Sequence, residues 1–223
     1  MHFLITAGGT REYIDPVRYI TNASSGKMGY ALAEAALEAG HSVTLISTCD
    51  TQPPVGVEFV GVESAADMFV AVKNFFSRCD CLVMAAAVSD YTPAKFSKTK
   101  IKRAKKPLTI KLKPTADILK WAGRHKNSKF EIRNSKFRPR RFVVGFALED
   151  ENIKAGAEKK LKEKGLDMII ANKFSAIGED YSSLLIKMQL GGWQILPRGP
   201  KKLTAEKIIR LIERLSQNVS RSS

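Results

Sequence analysis

The densest set of side chains that could do chemistry lies between Tyr13 and Tyr30, in the run YIDPVRYITNASSGKMGY. Arg18, Asn22, Ser24, Ser25, Gly26 and Lys27 follow closely here. Pro16 fixes one φ, and Asn22, Ser24 and Ser25 favour turns and caps, so the first half is irregular. The second half opens a helix. Apolar residues recur at helical spacing through Met28, Ala31, Leu32, Ala35, Ala36 and Leu37, with Ser24 or Ser25 as N-cap and Gly40 as the stop. A loop that brings cations, an amide, two hydroxyls and a glycine to a helix N-terminus is suited to an anion. Free N–H groups and the helix dipole point there, and glycine lets the backbone approach closely. The same residues also satisfy an ordinary capped helix.

Other candidates are more scattered. Asp90 follows the apolar run CLVMAA, at a position where open sheets bind ligands. Lys160 and Lys164 are four residues apart and share a helix face, as lysines on any solvated face do. Lys100 sits in the lysine-rich TKIKR, and pattern alone does not single it out. TAGGTRE resembles a dinucleotide loop but lacks the third glycine of GxGxxG. Tyr91 and Lys95 have the spacing of a dehydrogenase pair, but Pro93 between them opposes a shared helix face.

These residues need a scaffold, and the chain spells one out. His2–Thr6, Ser42–Ser47, Glu58–Val62 and Cys81–Ala86 read as strands, with a helix over Ala65–Arg78. That is βαββαβ in outline, the pattern of a nucleotide-binding α/β sheet. Leu108–Leu112 alternates like a half-exposed strand, and Asp117 begins a short helix. Phe142–Phe146 and Asp167–Ala171 are further strands, separated by a helix from about Glu151 to Gly165. Leu184–Met188 and Gln194–Leu196 form a hairpin, and Thr204 caps a last helix that reaches Leu215. Strand ends therefore carry Ala7–Thr10, Ala86–Asp90, Ala147–Glu149 and Asn172. We expect one domain over residues 1–217 and a flexible tail over 218–223.

Charge narrows the partners. The formal net charge is +15, and Tyr91–Arg141 holds 18 Lys+Arg against two acids. The rest of the chain is nearly neutral, so one basic segment calls for a polyanionic ligand. It comprises lysine-rich residues 95–106 and a basic surface insertion over about 124–141. Three cysteines with no zinc-type spacing exclude a disulfide framework and a metal cage, and three scattered histidines offer no metal site or triad. No apolar run approaches the roughly 20 residues that span a bilayer, and the start lacks a signal-peptide pattern. A cytoplasmic protein is expected.

Several separated motifs then agree: ITAGGTREYIDPVRYITNASSGKMGYALAEAA, AAAVSDY, TKIKR, ADIL, VVGFALE and DMIIAN, in that order. Together they resemble phosphopantothenoylcysteine synthetase, the synthetase half of the bifunctional flavoprotein of coenzyme A biosynthesis. The match runs from about Phe3 to Asn172, with a weaker tail to about Leu215. The resemblance implies a three-layer α/β/α sandwich, Rossmann-like at its start, with a mixed, mostly parallel sheet. It implies a ligase in which the 4′-phosphopantothenate carboxylate attacks the α-phosphate of a nucleoside triphosphate, giving an acyl-nucleotidylate and pyrophosphate. The amine of L-cysteine then displaces the nucleoside monophosphate. Mg²⁺ would accompany the triphosphate, with no residue assigned to it. The flavin-binding decarboxylase half has no counterpart in these residues, so a stand-alone synthetase without flavin is expected, acting as a homodimer.

Motif by motif, the resemblance implies that Asn22 holds the acyl-nucleotidylate with help from Arg18, and that Lys100 converts it from a flap over about 95–106. Arg103 replaces the last lysine of the more usual KIKK. Gly8, Gly9, Ala86 and Asp90 would contact the nucleotide, and Asp117, Ile118, Leu119 and Phe146 would line the base pocket. Lys160 and Lys164 would meet the triphosphate; Ser24, Ser25, Gly26, Lys27 and Asn172 would hold substrate. Thr115-Ala116 stands where the family commonly has Asn-Pro. AAAVSDY is similar to ATP-using eukaryotic members and VVGFALE to CTP-using bacterial ones, and CTP is the nucleotide expected. The competing reading is an α/β module binding nucleic acid through residues 95–141, with Phe96, Trp121, Phe130 and Phe137 interleaved among the charges.

Overall fold

The computed structural model describes residues 1–128, 140–149, 152–173, 180–189 and 191–221. In chain order its first half consists of β1 (His2–Ala7), β2 (Arg11–Tyr13), β3 (Tyr19–Thr21), α1 (Lys27–Glu38), β4 (Ser42–Ser47), β5 (Glu58–Gly61), α2 (Ala65–Phe76) and β6 (Cys81–Met84). There follow β7 (Tyr91–Pro93), β8 (Leu112–Pro114), α3 (Ile118–His125), β9 (Phe142–Glu149), α4 (Ile153–Glu163), β10 (Met168–Lys173), β11 (Tyr181–Met188), β12 (Trp193–Pro200) and α5 (Lys201–Arg221).

The apolar runs form the centre of an eight-stranded sheet ordered β12-β11-β10-β9-β6-β1-β4-β5. All neighbours from β5 to β10 are parallel, and β11 and β12 complete the sheet as an antiparallel hairpin. Register is set by β1, whose Phe3 lies between Val43 and Cys81. Alternation then sorts its side chains to two faces. Phe3, Ile5 and Ala7 pack with the α1 and α5 residues Leu32, Ala36, Ile208 and Ile212. Leu4 packs with Met68, Phe76, Ile118, Ala157 and Leu161 from α2, α3 and α4. The result is the expected α/β/α sandwich with a mixed, mostly parallel sheet. Burying each large side chain such as Phe3, Leu4 and Ile5, which have no exposed surface, contributes about 1.5–3 kcal/mol.

Several boundaries differ from the pattern reading. Of LTIKL only Leu112 is extended, because its partner β7 is three residues long and ends at Pro93. α5 begins at Lys201, and Thr204 lies inside its first turn with its hydroxyl donating to the Pro200 carbonyl, so it is not the cap. The same helix continues to Arg221, beyond the Leu215 expected, and residues 222–223 of the expected tail lie outside those described. α2 starts from a capping box in which Ser64 and Asp67 exchange hydrogen bonds. No described helix is long and apolar enough to cross a membrane. All three cysteines are free, and burial pushes the Cys81 thiol up.

The stems of the basic insertion are structural. At the amino-terminal edge of the parallel strands, buried Asp167 accepts from Lys126 Nζ at 2.8 Å, from Arg140 and from the Val143 amide. Arg141, also buried, donates to the carbonyls of Phe76, Ser77 and Ser128, covering the C-terminal end of α2. Residues 129–139 of the insertion lie outside those described. Truncating Asp167 strands Lys126 beside a second cation. We expect Asp167→Ala to lower the unfolding free energy by about 3–5 kcal/mol in urea titrations.

Candidate functional site

From β1 the parallel sheet grows in two directions, through β4 and β5 on one side and β6, β9 and β10 on the other. The reversal falls between β1 and β6, and a crevice opens where their carboxyl ends part. A cavity of about 550 Å³ lies along these strand ends.

Its mouth depends on the start of α1. Gly26 is the N-cap, with φ +73°, and no side chain caps the helix. Ser24 and Ser25 are therefore not the caps that their type suggests. A Cβ on Gly26 would stand 2.4 Å from Cys49 Sγ, and one on Gly29 would stand 2.6 Å from the Cβ of Ala7. Gly29 thus lets α1 touch β1, the role of the third glycine in a dinucleotide loop. TAGGTRE lacks it because the β2–β3 hairpin is inserted between the strand and the helix.

The loop after β6 forms another wall and is held by buried threonines. Thr6 Oγ1 accepts from the Ala86 amide at 3.2 Å, and Thr10 Oγ1 accepts from the Ser89 amide at 3.0 Å. The Ala87 amide donates to the Gly8 carbonyl, and the Ala87 carbonyl accepts from the Thr10 amide. Asn22 Nδ2 donates to the same Ala87 carbonyl at 3.1 Å, which joins the hairpin end to the β6 loop. Thr115, where the resemblance led us to expect asparagine, donates its hydroxyl to the Ser89 carbonyl at 2.6 Å.

Asp117 caps α3, accepting from the Lys120 amide at 2.9 Å, and pairs with Lys164 at 3.1 Å. Lys164 is the C-cap of α4 rather than a residue on its face. Gly123 allows this meeting of helices, since a Cβ there would collide with the Lys164 carbonyl. Across the cavity Lys27 pairs with Asp180 at 2.6 Å, and this hydrogen bond draws the Asp180 carboxyl below its usual range.

The expected residues mostly converge. Asn22, Ser24, Ser25, Gly26, Lys27, Ala86, Asp90, Asp117, Ile118, Leu119, Phe146, Lys160, Lys164 and Asn172 all line the cavity. Gly8 and Gly9 do not; they lie behind the lining, with Gly9 bridged to Ala87 and pressed against the Asn22 carbonyl. Arg18 is also outside. It turns to Asp15 and the Ile101 carbonyl, because the β3 strand separates it from Asn22. Lys100 is exposed and does not line the cavity. Thr115 also lines it, and so does Lys201, which was not anticipated. Lys201 is brought there by the packing of α5 beside α1, which no local pattern announces.

Among the described residues no cluster of three metal-ligating side chains occurs. Among the described residues the cavity lining carries two carboxylates, Asp90 and Asp117. Trp121, one of the aromatics of the nucleic-acid reading, packs edge-on against Phe69 and Phe76 and stacks on His125. It does not offer a base-stacking surface.

The family model described as DNA/pantothenate metabolism flavoprotein C-terminal domain matches residues 1–215. The chain belongs to this family. Among relatives of this flavoprotein C-terminal domain, it is 40% identical over 228 residues to the coenzyme A biosynthesis bifunctional protein CoaBC of Bacillus subtilis, covering 100% of this chain and 53% of that protein. For the CoaBC of Thermococcus kodakarensis the identity is 37%, over 95% of this chain and 51% of that one. The chain thus spans about half the length of the curated relatives it matches. The crystal structure of a CoaBC C-terminal domain aligns with TM-score 0.81 and 38% identity, covering 97% of this chain and 96% of the other. A Cab2 mutant in complex with phosphopantothenate-cysteine aligns with TM-score 0.78, covering 99% of this chain and 88% of the other; at 18% identity this shows the fold alone.

The contact between α1 and β1 is testable. A methyl at position 29 meets Ala7 and the Thr6 carbonyl, neither of which can turn aside. Gly29→Ala should cost about 1–3 kcal/mol of stability, read from urea midpoints at unchanged m-value.

Proposed function

We propose that this chain is a ligase that joins 4′-phosphopantothenate to L-cysteine through an acyl-nucleotidylate, spending a nucleoside triphosphate. The carrying observation is the cavity at the β1/β6 crevice, with the Asn22 amide at one wall and Lys160 and Lys164 at another. Membership of the flavoprotein family and the 40% identity to a coenzyme A biosynthesis bifunctional protein support the same reading.

The chain's own groups suit the two steps. One Asn22 Nδ2 hydrogen is committed to the Ala87 carbonyl, which fixes the amide plane and leaves the other for an oxyanion developing on the substrate carboxyl. Lys160 and Lys164 would offset triphosphate charge, with Lys164 exchanging Asp117 for phosphate oxygen. Ile118, Leu119 and Phe146 supply an apolar wall for a base. Lys27 and Lys201, with Ser24, Ser25 and Asn172, would hold the phosphorylated substrate. Arg18 and Lys100 both stand outside the cavity lining; from its loop Lys100 would convert the acyl-nucleotidylate, with Arg18 assisting through its bond to the Ile101 carbonyl.

Magnesium fits the donor set. The two carboxylates among the described lining residues suit an ion carried mainly on phosphate oxygens rather than a protein cage. Asp90 would hold it, since Asp117 is engaged as the cap of α3, accepting from the Lys120 amide. When bound, the ion neutralises charge on the phosphates. CTP is the proposed nucleotide, on the likeness of VVGFALE to CTP-using members. A homodimer is part of the proposal: Val17, Tyr19 and Ile20 on the β2–β3 hairpin expose apolar surface suited to a second copy.

The test is pyrophosphate release from 4′-phosphopantothenate, cysteine and Mg²⁺ with CTP or ATP supplied separately. Release that requires phosphopantothenate, with the monophosphate and phosphopantothenoylcysteine found by mass, is the expected result. Asn22→Ala should then lower kcat by about 100- to 1000-fold while circular dichroism is unchanged. Folded protein that releases nothing with either nucleotide would sink the reading.

A further inference from the structure

The side chain of Asp15, in the turn between β2 and β3, has no exposed surface. Its Oδ1 accepts from the amides of Val17 and Arg18, both at 2.9 Å. Its Oδ2 accepts from Arg18 Nε at 3.0 Å and Nη2 at 2.5 Å, and from the Ile101 amide at 3.0 Å. Four of these bonds are local. The fifth spans 86 positions and ends on the residue after Lys100.

Arg18 grips the other side of that peptide group's neighbour, donating Nη2 to the Ile101 carbonyl at 2.6 Å. Nearby, the Ser97 amide donates to the Ile14 carbonyl at 3.0 Å. Residues 94–111 contain no helix or strand, and their base is closed by the β7–β8 pair and by the Ala94 amide on the Lys111 carbonyl. A loop of this length without internal structure would wander if only its base were tied. The hairpin turn supplies the second tie, on the far side of the loop and beside Lys100.

We propose that Asp15 is a positioning residue for the Lys100 loop: by pinning Ile101 it sets where Lys100 stands relative to the cavity. The kinetic half rests on the ligase reading and the role given there to Lys100; the clamp itself does not. An ionised carboxylate is what the place requires. Donors from Val17, Arg18 and Ile101 converge on both oxygens, so an amide would turn N–H groups toward one set of donors. The Arg18 hydrogen bonds also hold the Asp15 carboxyl well below the usual carboxylate range. A depressed value keeps the clamp intact above about pH 4 and releases it only as pH falls toward the folded value. The loop is therefore tied across the neutral range and is not a pH switch.

Asp15→Asn separates this from a merely structural role. Hydrogen–deuterium exchange should speed up at least tenfold in a peptide spanning Ser97 to Lys102, with the β1 and β6 peptides unchanged. In the ligase assay kcat should fall about 10- to 100-fold with the nucleotide KM unaltered. That loss should vanish in a Lys100→Ala background, because the clamp acts through Lys100. Should Asp15→Asn not fold, Arg18→Lys keeps a cation beside Asp15 but loses the bond to the Ile101 carbonyl, and the same peptide should exchange faster. Unchanged exchange in a folded variant, or additive losses with Lys100→Ala, would overturn the proposal. Absence of turnover in the wild-type protein would instead remove the ligase reading, and the exchange result would still decide the clamp.

Discussion

Contact between the first turn of α1 and the end of β1 governs the site. The two backbones approach so closely at Gly29 that a single methyl would stand 2.6 Å from the Ala7 side chain. This proximity puts Gly26 in the left-handed region beside Cys49 and aims the helix start at the crevice. It also leaves little room beneath the β6 loop, so that loop is held by hydroxyls, Thr6 on Ala86 and Thr10 on Ser89. Buried hydroxyls are tolerated in a parallel core only when they are spent on such bonds. Asn22 completes the arrangement by closing the gap between hairpin and β6 loop through the Ala87 carbonyl.

Charge is distributed with more purpose than the net value of +15 suggests. At the insertion stems, Lys126 and Arg140 are spent on Asp167, and Arg141 on helix carbonyls, at the end of the sheet opposite the cavity. At the cavity, Lys164 and Lys27 each meet a carboxylate, Asp117 and Asp180. Those pairs are partly exposed, so exchanging one anion for another costs little. A buried cation on Asp167 cannot make that exchange, because leaving its partner is expensive. Similar residue types thus serve fixed structure at one end and replaceable contacts at the other.

This division also explains what was legible in the sequence. FLIT, VTLIS, CLVM, FVVGF and MII are buried on both faces of a parallel sheet, so each reads as a continuous apolar run. Most of the cavity lining was legible for a related reason, since ligand-facing residues follow directly on such strands. Arg18 lies outside the cavity lining because four residues of sequence separation in a strand span about 13 Å, enough to put it at the far end of the hairpin from Asn22. Serines beside a helix start suggested a cap, but a left-handed glycine performs the turn. Lys201 reaches the cavity only through packing of α5 against α1, and Asp15 reveals its reach only through a bond of 86 positions. Neither leaves a periodic trace.

The two excursions from the Rossmann-like core are best understood together. A plain crevice between β1 and β6 is open to water. A mixed anhydride between a carboxylate and a nucleotide is vulnerable to hydrolysis, so the ligase reading demands that water be kept from it until the amine arrives. The hairpin inserted before α1 and the loop between β7 and β8 arise far apart in sequence, yet they meet at Asp15, Arg18 and Ile101. Each is short of apolar area to bury and weakly determined alone, as short two-stranded ribbons are. Tied to one another they restrain each other, and the place where they meet is set by one buried carboxylate. A salt-bridged aspartate suits that task better than an apolar contact would, because its geometry fixes the register of the loop as well as its proximity.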